Sequence, residues 1–231
     1  MFVSRSSPRP ASRSALLTRT GLPLLFALFA SACWSNVPAS DATVIVHARD
    51  GDELGVATPL GVVFVGAGQR TGVVDYTVFF DDGPSLESAE IEALTTDLLA
   101  LSPELKLNVA SIAFPDLRSG DRVVVRGRDG REPWQRNAVV AENPRVDGLI
   151  LRASDLDDLR TRHVGAGVYF ETPDDFVLVG LVRGRVQAPV DGGGQREYIS
   201  VAGPDQLLGL AVYGRSHVPR SAPNDRQDAV R

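Results

Sequence analysis

Arg162 to Gly184 reads RHVGAGVYFETPDDFVLVGLVRG, and its two apolar runs, GVYF and FVLVGLV, are separated by the polar turn Glu171-Thr172-Pro173-Asp174-Asp175. Short runs of Val, Phe, Tyr and Leu bounded by Pro and Asp are the pattern of paired strands. The same rhythm extends in both directions. Upstream lie TVIVHA (43–48), GVVFVGAG (61–68), VVDYTVFF (73–80), DRVVVRG (121–127) and DGLILRA (147–153), and downstream comes EYISVAG (197–203). Runs of this length and spacing predict an all-β barrel or sandwich.

Two stretches depart from the rhythm. Ile91, Leu94, Leu98, Leu101 and Leu105 fall at spacings of three and four, which taken alone favours an amphipathic helix. Pro204 to Tyr213, with Gly203 ahead of it and Gly214 beyond, predicts a terminal helix. From Arg215 onward the residues are mostly Ser, Pro, Asn, Asp and Arg, so 215–231 is expected to be a disordered tail.

The 231 residues, 43% hydrophobic and 23% charged, describe one globular domain and exclude collagen, coiled coil and wholesale disorder. A single cysteine, Cys33, excludes an internal disulfide, and its position carries more information than its number. Residues 1–20 hold Arg5, Arg9, Arg13 and Arg19 and no acid, and they lead into an apolar run from Leu22 to Ala30. That order is a secretory signal, too short to span a bilayer. Its last residues, Ala30-Ser31-Ala32-Cys33, resemble a bacterial lipobox, with Ala30 where Leu, Val or Ile is commoner. The resemblance implies a signal peptide over 1–32, an acylated Cys33, and a small polar tether over 33–43. Simple cleavage near Ala32 is the alternative. Two acyl chains would hold the domain on a membrane where one would not. Trp34 follows Cys33 in place of the Asp associated with inner-membrane retention, which favours the periplasmic face of the outer membrane.

Loss of residues 1–32 would take four Arg from a chain of net charge −5 and leave −9. An acidic domain is poorly suited to nucleic acid.

In order, the strand segments resemble the trypsin-like serine proteases, most closely their high-temperature-requirement (Deg) branch. Residues 55–68, GVATPLGVVFVGAG, match the strand, turn and strand that end on the family's catalytic His, and Gly68 stands at the His position. Thr96-Asp97-Leu98-Leu99-Ala100 matches the family's T-D-L-A, which puts Asp97 on the catalytic aspartate and turns 88–105 into adjoining strands. Ser119 to Gly130 matches a Gly-Asp pair before a strand ending in Gly. Ala166-Gly167-Val168-Tyr169 matches G-G-P-L, which puts Gly165 at the nucleophile; a shift of one residue would put Ala166 there.

The resemblance implies a double six-stranded β-barrel over 44–214 with a C-terminal helix, and a degenerate triad at Gly68, Asp97 and Gly165. A serine protease needs imidazole, carboxylate and hydroxyl together. The expected function is therefore a membrane-anchored pseudoprotease that binds a peptide or protein in its inter-barrel cleft, where strand addition needs only backbone. The alternatives are an active hydrolase using His47 or His163 with a nearby Ser such as Ser111 or Ser154, and a structural envelope β-domain.

No cofactor is expected. His47, His163 and His217 are too scattered for zinc, and Asp155, Asp157 and Asp158 lack the order of a calcium loop, so a solvated acidic loop is expected there. Gly192-Gly193-Gly194 is expected at a hairpin tip. Trp34 and Trp134 are expected to be exposed, one in the tether and one in a Pro-flanked loop, and His163 is expected to be a solvated loop residue.

Overall fold

The computed structural model describes residues 42–66, 69, 71–153, 159 and 161–217. Strands β1 (Thr43–Ala48), β2 (Gly51–Thr58), β3 (Gly61–Phe64), β4 (Val73–Phe80), β5 (Gly83–Leu94) and β6 (Leu99–Leu101) close one barrel in the order β1-β2-β3-β6-β5-β4. Strands β7 (Arg122–Asp129), β8 (Glu132–Ala141), β9 (Leu149–Ala153), β10 (Gly167–Glu171), β11 (Phe176–Pro189) and β12 (Gln195–Ala202) close a second in the order β10-β11-β12-β9-β8-β7. Closure removes the exposed strand edges that an open sheet must otherwise protect. The double barrel and terminal helix implied by the resemblance are thus present, with α1 spanning Pro204–His217.

The spacing of leucines over 91–105 does not make a helix. Glu90 and Ile91 end the alternating part of β5, the chain turns at 95–98, and Leu99–Leu101 forms β6 against β3 and β5. Periodicity of three and four across two antiparallel strands and their turn mimics a helical face, and non-local pairing decides the outcome.

Each barrel has its own core. Val44, Val46, Ala57, Val62, Phe64, Val74, Tyr76, Val78, Leu99 and Leu101 fill the first. Val123, Val125, Ala138, Val140, Leu151, Val168, Val179, Ile199 and Val201 fill the second, and Leu54 from β2 reaches into it. Between them Val56, Val63, Leu98, Ala100, Tyr169, Leu178, Leu181 and Ala202 make a third cluster, which α1 seals with Leu207 and Leu210. Residues that face out of one barrel therefore become core between the two. The linker is stitched to both: the Ala110 N–H donates to the Ala57 carbonyl at 2.9 Å, and the Leu178 N–H to the Ser111 carbonyl at 2.7 Å.

Strand β8 is absent from the sequence reading because its first half, EPWQRN, is polar and carries a proline. Trp134 within it is not the exposed loop residue expected. Its indole edge packs with Leu54 of the other barrel, over the bare backbone of Gly127, and its Nε1 is buried. The triple glycine does form a hairpin tip, where the Val190 N–H donates to the Gly194 carbonyl at 3.2 Å.

Arg126 is a buried cation at the barrel interface. Arg126, 3% exposed, gives its Nε–H to Gln135 at 3.2 Å and stacks its guanidinium over Phe176, 4.1 Å from the ring centre. Its Nη1 and the Tyr169 hydroxyl are both buried without a hydrogen-bond partner among the described residues. A desolvated guanidinium with an unmet donor contributes little net stability, so Arg126→Met, which keeps the apolar stem, is expected to be neutral or stabilising by about 1 to 2 kcal/mol. Urea denaturation would check this; a loss of similar size would show that the cation is needed there.

Candidate functional site

A short turn governs the position that the resemblance assigns to the nucleophile. A 3-10 turn at Thr161–His163 delivers the chain to Val164 and Gly165, just before β10. The Gly165 N–H donates to the Val182 carbonyl at 2.8 Å, and the Val182 N–H returns a bond to the Ala166 carbonyl at 2.9 Å. From the other barrel the Leu54 N–H donates to the Val164 carbonyl at 2.8 Å. Gly165 has φ +86°, and a Cβ on it would overlap the Leu54 carbonyl oxygen. The residue is therefore glycine for two reasons: a left-handed backbone and the close approach of β2. A hydroxyl has no room here. In acyl transfer the nucleophile's own N–H also helps to hold the oxyanion, and at Gly165 that N–H is already engaged.

His163 closes that 3-10 turn, but not in solvent. It is 6% exposed and meets Trp134 edge to face at 4.7 Å. The expectation of a solvated loop imidazole fails because β8 carries Trp134 over it.

Gly68 lies outside the described residues, as do Cys33, Trp34, Ser154 and Asp155, Asp157 and Asp158. The start of the Gly68 loop is described and is tied to β2. The Gly66 N–H donates to Glu53 Oε1 at 2.5 Å. Glu53 points to the inward side of β2, in line with Gly55 and Ala57, and is 9% exposed. Burial pushes its pKa up to about 7; the Gly66 N–H opposes the rise, and the charge of Asp50 adds to it. Glu53 and Leu54 are consecutive, so one strand holds the Gly66 loop with a side chain and the Gly165 turn with its backbone.

Asp97 occupies the turn between β5 and β6. Thr95 shapes that turn: its Oγ1 accepts the Leu98 N–H at 3.0 Å and the Asp97 N–H at 3.3 Å, and its own N–H donates to the Leu98 carbonyl at 2.7 Å. Among the residues whose side chains are described, Asp97 meets no imidazole. Its Oδ1 lies 2.8 Å from an Nη of Arg183, on β11 of the second barrel. Arg183 follows Val182, the acceptor for Gly165, so Asp97 and Gly165 converge on adjacent residues of one strand. Sequence reasoning did not single out Arg183; the visible signal was the arginine pair of VRGRV at 182–186 in an otherwise apolar strand.

His47 belongs to a different place. On the outer side of β1, its Nδ1 bonds Asp52 Oδ1 at 2.7 Å and its Nε2 bonds Thr77 Oγ1 at 2.9 Å. Its hydroxyl neighbour is thus Thr77, not Ser111. Asp52 is its direct cross-strand partner, as expected of polar pairs on a sheet face. Among the described residues no group of three His, Cys, Asp or Glu is placed to hold a metal ion.

Two closed antiparallel six-stranded barrels and a sealing C-terminal helix define the trypsin-like serine protease fold. Solved structures carry the same architecture. The apo protease domain of MamO from Magnetospirillum magneticum aligns with a TM-score of 0.51 at 16% identity, over 76% of this chain and 97% of that one. An inactive serine-to-alanine mutant of Rv3671c from M. tuberculosis aligns with a TM-score of 0.50 at 19% identity, over 78% and 90%. The serine endoprotease from Yersinia pestis aligns at 0.54 and 17%, over 77% of this chain and 64% of its own. No family model and no curated protein matches the sequence.

Proposed function

We propose that the protein is a cell-envelope lipoprotein, anchored through acyl chains on Cys33, whose trypsin-like domain binds a peptide or protein segment without cleaving it. The Gly165 turn carries this reading: Gly165 has no side-chain oxygen, its N–H is engaged by Val182, and Leu54 fills the space a side chain would need. Arg183 in place of an imidazole at Asp97 supports it further, because a guanidinium cannot serve as a base near neutral pH. Binding without cleavage requires a backbone edge, and β11 offers one: beyond Val182, no strand among the described residues pairs with the side of β11 away from β12. The anchor rests on the order of residues 1–33, and Trp34 favours the periplasmic face of the outer membrane.

The test has two parts. The full-length chain is expected to leave casein intact, to resist fluorophosphonate labelling, and to incorporate labelled palmitate only while Cys33 is present. Casein fragments would sink the inactive reading, and palmitate retained in Cys33→Ala would sink the anchor. A second reading, an active hydrolase, is favoured by one observation: Thr77, His47 and Asp52 form a hydroxyl–imidazole–carboxylate chain. Fluorophosphonate on Thr77, lost in His47→Ala, would decide for it.

A further inference from the structure

We propose that Arg183 is a carboxylate-binding residue that makes this domain select acidic extended peptides, a proposal that rests on the peptide-binding reading above. The first observation is a β-bulge. Leu181 and Val182 of β11 stand opposite Ala202 and Val201 of β12, but the next pair is Gly184 with Ser200, so Arg183 is the extra residue without a cross-strand partner. Bulges re-aim a side chain and are over-represented beside active sites. Here the bulge falls one residue after the acceptor for Gly165 and turns the guanidinium toward the first barrel.

The second observation is how Arg183 is held. Asp97 is 18% exposed in its side chain and is fixed by the Thr95 turn, whereas Arg183 is 44% exposed. The pair meets through one Nη and one carboxylate oxygen. A guanidinium has five N–H donors, and a carboxylate arriving in its plane can take two of them in parallel. Asp97 thus acts as a positioning residue that aims the cation while leaving most of its donors toward solvent.

Arg185, two residues along the same strand, supplies the contrast. Its Nε–H donates to the Leu159 carbonyl at 2.7 Å and its Nη1 to Glu197 at 3.2 Å, which locks it into the hairpin. Arg183 is therefore the cation of β11 that is aimed but unsaturated, and it lies where β11 runs past its pairing with β10, with no strand among the described residues taking that place. A strand added to that edge would carry alternate side chains past it, and an acidic one at that register, or the carboxylate of a chain end, would complete the guanidinium.

The experiment uses the full-length chain and fluorescence anisotropy with three labelled Thr-rich extended peptides. One has a central Glu and an amidated end, one a central Gln and an amidated end, and one a central Gln and a free terminal carboxylate. Either carboxylate peptide, or both, is expected to bind about tenfold tighter than the neutral one, the size of a charge-assisted hydrogen bond; which of them does so identifies the source. Arg183→Gln should erase the preference, Arg183→Lys should keep part of it, and Asp97→Asn should widen it by removing the competing charge. Equal binding of all three peptides, or a preference that survives Arg183→Gln, overturns the assignment of Arg183 while leaving peptide binding intact. Failure of every peptide to bind overturns the peptide-binding reading and this proposal with it.

Discussion

Gly165→Ser is expected to cost about 3 kcal/mol or more in stability and to yield no hydrolase, even when a histidine is placed at Gly68. The residue sits at φ +86°, where any side chain is strained by about 1 to 2 kcal/mol. The added Cβ must also push the Leu54 carbonyl away, and Leu54 is held through its N–H to Val164 and buried at 3% exposure. Overpacking of that kind adds about 1 to 3 kcal/mol. Gly192→Ala is the matched control, because Gly192 has φ +95° but open space around it, and should lose only the backbone strain of about 1 to 2 kcal/mol. Urea midpoints of the two variants would separate steric closure from backbone conformation. A Gly165→Ser protein as stable as wild type would mean that β2 yields easily and that the turn is not closed.

The second large effect is on the pH dependence of stability. Glu53 has a folded pKa of about 7 against an ordinary value of 4.5, so between those limits the folded chain binds more proton than the unfolded one. Stability from this group is fully present below pH 4.5 and is lost as pH rises through 7, in all about 3 kcal/mol. Glu53→Gln keeps an oxygen for the Gly66 N–H and removes the ionisation. It is expected to flatten the fall and to be more stable than wild type at alkaline pH. Parallel pH profiles of the urea midpoint in wild type and variant would remove Glu53 as the cause.

The two effects share a strand. Glu53 faces into the first barrel and Leu54 faces out of it into the second, because neighbouring side chains on a strand point to opposite sides. β2 consequently anchors both the Gly66 loop and the Gly165 turn.

Much of this protein could be read before any fold was seen. Alternating apolar runs made most of the strands visible, and the glycine before β10 needed only its place in VGAGVYF. Other features failed in instructive ways. β8 escaped notice because half of it faces solvent and carries polar residues that a strand tolerates only once β7 and β9 have been placed beside it. Trp134 and His163 looked exposed because each adjoins a polar residue, Gln135 and Arg162, yet they pack on one another across 29 positions of chain.

The sequence by itself determined the strand rhythm and the order of most elements, because these depend on residue type and short spacing. Tertiary structure alone decided that Asp97 meets Arg183, that Glu53 is buried, and that the Leu54 carbonyl closes on Gly165. Each of those contacts joins segments far apart in the chain, and only the closure of two barrels and their docking brings them within bonding distance.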